Sequence, residues 1–88
     1  MIEKIGIPAM LEQPAEEATE LAQALLKAAR VIRQEKPTPM TRDEASSMVN
    51  EEYSDLIACT RELGLKVDEE LEEKKHIRFE ERWERMHK

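Results

Sequence analysis

Two interruptions divide this chain into three stretches, and each stretch carries apolar residues at helical rather than strand spacing. The first interruption is QEKPTPMT at 34–41, where two prolines in three residues end any helix. The second centres on Gly64, just past an apolar residue, where a left-handed C-terminal residue is expected. The first helix is read from about Pro8 to Arg33. From Ala18 on, Leu21, Leu25, Ala28 and Ile32 form its apolar stripe. Pro14 removes a backbone donor, which predicts a kink or the start of the main helix there. The second helix starts at Thr41, because Thr41-Arg-Asp-Glu44 is a capping-box pattern. Its apolar face is Ala45, Val49, Leu56, Cys59 and Leu63. Asp68 caps a third helix that carries Glu69 and Glu70 in its first turn and runs to about His87. Leu71, Phe79, Trp83 and Met86 supply most of its apolar surface. The rest is Glu, Lys and Arg, many spaced to pair along the helix.

The fold class expected is therefore all-α: three main helices, with the first pair antiparallel. Eighty-eight residues allow a single domain, 1–88, and a core too small to be secure alone. A four-helix-bundle type of core completed by oligomerisation follows, as a homodimer or homotetramer. The net charge of −6 argues against a nucleic acid polymer, which needs a basic face. Cys59 is the only cysteine, so an internal disulfide is impossible and a reducing compartment is the default. Its place on the apolar stripe makes it a small core residue. No apolar run is long enough for a membrane span, and MIEKIGIPAML is too short and too acidic for a signal peptide. A cytoplasmic protein is expected. Of the single residues, Tyr53 is expected to pack and Trp83 to anchor a contact. His76 and His87 are read as surface residues.

An acidic pattern occurs twice: EEATEL at 16–21 and EEYSDL at 51–56. Acidic runs are usually solvated helix faces, so the helical wheel has to separate the cases. With Leu56 at the centre of its apolar face, Glu52 falls about 40° away and Asp55 about 100° away. Glu51 leans to solvent. With Leu21 as the centre, Glu17 and Glu20 occupy the same two angles, and Glu16 is less well aimed. EERWE at 80–84 has the same letters, but Arg82 and Arg85 interleave with it, which marks a salt-bridged surface. Packed antiparallel, the first two helices would bring four carboxylates into one cleft. Such a group must take up protons, recruit Lys or Arg, or bind metal. Oxygen-only ligands favour Mg²⁺, with Mn²⁺ a close second. Mg²⁺ commonly shares its shell with substrate phosphates. A di-iron bundle would want Glu-x-x-His, and the first two helices hold no His.

EEATELAQALLK followed by EEYSDLIACTRELGL resembles the MazG-like all-α nucleoside triphosphate pyrophosphohydrolases, whose signature is Glu-Glu-x-x-Glu on one helix and Glu-x-x-Asp on the next. The likeness runs from about Gly6 to Trp83. EEKKHIRFEERW resembles the basic segment that follows the second motif in that family. The resemblance implies Mg²⁺-dependent cleavage of a nucleoside triphosphate substrate to monophosphate and pyrophosphate. It implies Glu16, Glu17, Glu20, Glu52 and Asp55 as metal ligands, with Glu17 or Glu20 orienting the attacking water. Lys74, Lys75 or Arg78 would contact phosphates. A phosphoribosyl-ATP pyrophosphatase relative would use the same acidic scaffold. Against the family pattern, the link between motifs is long, Pro14 precedes the first motif, and Ile77 and Arg78 stand near an expected Asn. The rival reading is a catalytically silent helical bundle that serves as an interaction or regulatory module.

Overall fold

The structure is a computed structural model that describes residues 6–35 and 39–87. The chain is all-α. Helix α1 spans Ile7–Ile32, α2 spans Arg42–Glu62 and α3 spans Glu69–Met86. Of the two prolines expected to break the first helix, Pro37 lies outside the described residues and Pro39 is non-helical. Pro14 does not start a helix. It sits inside α1, which runs unbroken from a first turn containing Pro8. The capping box at α2 forms as the sequence predicts: Thr41 Oγ1 accepts from the Glu44 amide at 3.1 Å, and the Thr41 amide donates to Glu44 at 3.3 Å. Asp68 caps α3 by accepting from the Leu71 amide at 3.0 Å.

Helices α1 and α2 pack against each other. Their direction is antiparallel, since rising numbers on α1 meet falling numbers on α2. Glu17 feels the charge of Asp55 and raises the Cys59 thiol. Glu20 lies beside Glu52, and Lys27 and Arg30 share a groove with Met48.

The contact has a seven-residue repeat. Along α1, Met10, Glu17, Ala24 and Val31 follow at intervals of seven, with Pro14, Leu21 and Ala28 half-buried between them. Along α2, Ala45, Glu52 and Cys59 follow likewise, with Val49, Leu56 and Leu63 between them. Alternating steps of three and four are the seam of two helices packed side by side. Met10, Ala24, Val31 and Ala45 are its buried apolar side chains. Two of these four are alanines, and small side chains let the axes approach.

This seam corrects the expected apolar stripe of the first helix. Leu25 and Ile32 were expected within it, but they are 50% and 56% exposed. They sit one position past Ala24 and Val31, about 100° further round, on a separate face. Tyr53, expected to pack, is 55% exposed.

Helix α3 buries none of its described residues and makes no packing comparable to that of α1 with α2. Leu71, Phe79, Trp83 and Met86 are all exposed. Internal contacts hold it: Lys74 to Glu70 at 3.5 Å, His76 to Glu80 at 3.2 Å, and the Trp83 ring stacked on His87 at 3.7 Å.

Helices α1 and α2 end alike. Glu35 N–H donates back to Arg30 and Leu65 N–H to Thr60, each across a left-handed residue. That residue is Gly64 (φ 73°) in α2 but Gln34 (φ 60°) in α1. A Cβ costs free energy there only because of φ, since open space surrounds Gly64. Gly64→Ala is expected to lower stability by about 1 kcal/mol, and Gln34→Gly to raise it by up to about 1 kcal/mol. Urea unfolding of the two variants measures both, and unchanged midpoints would mean that these ends do not form in solution.

Candidate functional site

The seam repeat places a carboxylate where a core residue belongs. Glu17 takes the position between Met10 and Ala24, and Glu52 the position between Ala45 and Cys59. Both are half-buried, and the Oε2 atom of each is sealed from solvent with no hydrogen-bond partner. A sealed acceptor without a donor is uncommon and asks for a proton, a water or a cation. Glu20, one turn along α1 from Glu17, reaches across from the exposed side. One oxygen each of Glu17, Glu20 and Glu52 lies within 4.8 Å of the others.

The remaining motif residues stand around this trio. Asp55 is exposed and outside the tight group, although its negative charge acts on both Glu17 and Glu52. Glu16 and Glu51 are exposed. Glu16 acts on Glu17 only through its charge.

Electrostatics follow from this placement. Burial holds the Glu17 carboxyl above its ordinary value of 4.5, with the charges of Glu20, Asp55 and Glu16 adding to the rise. Burial likewise raises Glu52, reinforced by Glu20, Asp55 and Glu17. Glu20 is placed to accept a hydrogen bond from the protonated form of either. Burial also raises the Cys59 thiol above its ordinary 9.0, helped by Glu17 and Glu62. That keeps it a protonated, unreactive side chain at neutral pH.

The basic residues expected at the site lie elsewhere in the chain. Lys74, Lys75 and Arg78 are exposed on α3. Lys74 pairs with Glu70, while Lys75 and Arg78 line a groove with Glu81, Arg82 and Arg85. None of the three lines the groove at the carboxylates. That groove is formed by Glu20, Gln23, Ala24, Lys27, Arg30, Met48 and Glu52. Lys27 and Arg30 are therefore the cations nearest the acidic trio along α1, and reading the sequence for a downstream basic segment missed them. The signal was present: Lys27 is seven residues past Glu20 and so shares its side of the helix.

Glu80, Glu81 and Glu84 of EERWE are exposed, as expected of a solvated face. Among the described residues no helix is long and apolar enough to cross a membrane. Comparison with known proteins finds no match among family models, curated proteins or solved structures.

The raised carboxyls have a definite effect on stability. Folded-state values above the unfolded ones mean that the folded chain holds protons more tightly. The stability from Glu17 and Glu52 is thus complete below about pH 4.5 and is lost as pH rises through their raised values. With divalent cations chelated, Glu52→Gln should melt above the unmodified chain at pH 7, and the difference should vanish near pH 4. Melting followed by circular dichroism across that range checks this, and a variant that melts lower at pH 7 would show that Glu52 carries no such strain.

Proposed function

We propose that this chain is a Mg²⁺-dependent hydrolase that cleaves a nucleoside triphosphate to monophosphate and pyrophosphate, of the MazG-like type that its two acidic motifs resemble. The observation that supports this most is the meeting of Glu17 and Glu20 from EEATEL with Glu52 from EEYSDL, two of them with sealed, unpartnered oxygens. The donor set fits a hard divalent cation. It is all oxygen, it is anionic, and its own repulsion is relieved by positive charge. Mn²⁺ would fit the same donors. Bound there, the ion supplies counter-charge for phosphates and makes a water more acidic.

The chain's own residues would do the rest. Glu17, Glu20 and Glu52 would hold the cation, and Asp55 and Glu16 would strengthen the local negative field. Glu20 is the most accessible of the trio and is in reach of a substrate in the adjoining groove, so it is placed to accept a proton from the attacking water. Lys27, in the same groove, is placed to neutralise phosphate oxygens.

One observation favours a second reading, a catalytically silent interaction bundle. The basic segment of α3 does not join the carboxylates within the chain, and α3 as a whole is exposed.

A panel of nucleoside triphosphates, with phosphoribosyl-ATP included, separates the two readings when pyrophosphate release is measured with Mg²⁺ and with Mn²⁺. The enzyme reading expects release from at least one substrate. It also expects Glu52→Gln to lower kcat/KM by about 100-fold or more while helicity is retained. No release from any substrate supports the silent bundle, and full activity in Glu52→Gln would move the chemistry elsewhere.

A further inference from the structure

Helix α3 leaves its whole surface open, yet its side chains are sorted by type around the axis. At about 100° per residue, Lys74, Lys75, Arg78, Arg82 and Arg85 fall within an arc of about 100°. Glu69, Glu70, Glu73, Glu80, Glu81 and Glu84 fall within a separate arc of about 120°. Leu71, Phe79, Trp83 and Met86 share a third arc, also about 120°, which overlaps the cations along one edge. Two residues break the sorting: Ile77 stands among the glutamates, and Glu72 between Phe79 and Trp83.

The cations of this helix are mostly unmatched. Among the described residues Lys74 pairs with Glu70 and His76 with Glu80, while Lys75, Arg78, Arg82 and Arg85 make no ion pair. Those four line one groove, with Glu81 as its single acid. Along its edge the apolar residues stand in solvent: Phe79 is 58% exposed, Trp83 56% and Met86 77%. A helix face that ends in water is polar. Aromatic rings, Met and Arg gathered on one face have the composition of an interface core.

Charge selects the occupant. The cations run along one edge of the apolar stripe, so a helix laid on the stripe meets them with one flank. In helix pairs the flanking charges set partner choice, and here that flank must be acidic. A second copy of α3 does not supply it. In a parallel two-fold pair each seam residue meets itself, Lys75 against Lys75 and Glu72 against Glu72. In an antiparallel pair the same flank of both copies meets, cations against cations. An anionic lipid surface is opposed by Glu72 within the stripe and by the net charge of −6. From Leu71 to Met86 the stripe is about 22 Å long, enough for four turns of a partner helix.

We propose that the Leu71–Phe79–Trp83–Met86 stripe of α3, with its Lys75 and Arg82 edge, is a docking surface for an acidic amphipathic helix of another protein. The seam carboxylates take no part in it, so it stands under either reading of the function.

Trp83 is the only tryptophan and lies inside the stripe, so its emission reports occupation. The probes are two tryptophan-free helical peptides of about three heptads that share one leucine stripe, one flanked by Glu and the other by Lys. Titrated into the full chain at about 50 mM salt, the Glu peptide should move Trp83 emission to the blue and saturate. Its affinity should exceed that of the Lys peptide by about 10-fold or more. Lys75→Glu combined with Arg82→Glu should reverse that order, a gain for the Lys peptide that an unfolded helix would not give. Equal affinity for the two peptides, an order that the variant does not reverse, or no blue shift with either overturns the proposal. So does a blue shift with phosphatidylserine vesicles in place of the Glu peptide, which would give the stripe to a lipid surface. A blue shift on concentrating the chain alone overturns it too, by giving the stripe to a second copy.

Discussion

Two carboxylates occupy positions that the helix pairing would otherwise fill with apolar side chains. The α1–α2 seam repeats every seven residues through Met10, Ala24 and Val31 on one side and Ala45 and Cys59 on the other. Glu17 and Glu52 interrupt it at facing points. Burying like charges together is unfavourable, and nothing in the seam offers a donor to their sealed oxygens. Ala24 and Ala45 are buried in the same seam. The fold therefore holds two acids in an arrangement that a stability optimum would avoid.

The arrangement explains why the other acidic residues differ in character. Glu20 sits at the solvent side of the pair and links both members. Asp55 contributes charge from outside the trio, and Glu16 and Glu51 face water. Beyond Glu20 the groove turns basic at Lys27 and Arg30. Anionic and cationic walls side by side suit a ligand that brings a cation and phosphates together. The proposed MazG-like function rests on that chemistry and on the two acidic motifs.

Much of this was legible in the sequence, for local reasons. The cap at Thr41, the cap at Asp68 and the stop at Gly64 depend on neighbours within five residues, and all three form. The wheel set Glu52 inside the helix face and Glu51 outside it because burial follows angle once the face is known. The face of α1 was harder. That helix has two apolar stripes about 100° apart, and periodicity alone does not say which one meets α2. Leu25 and Ile32 were assigned to the wrong stripe for that reason. Lys74, Lys75 and Arg78 lie on α3 and line no part of the groove at the carboxylates among the described residues, whereas Lys27, at an ordinary place on a long helix, does.

The proposed function requires that Glu17 and Glu52, held together in the α1–α2 seam, are relieved by a divalent cation. Side-chain carboxyl chemical shifts of a labelled sample, followed by NMR against pH, test it at the two atoms concerned. Without divalent cations, both should titrate above the ordinary 4.5, and added Mg²⁺ should pull both midpoints down. Two midpoints at the ordinary value, unmoved by Mg²⁺, would contradict the account.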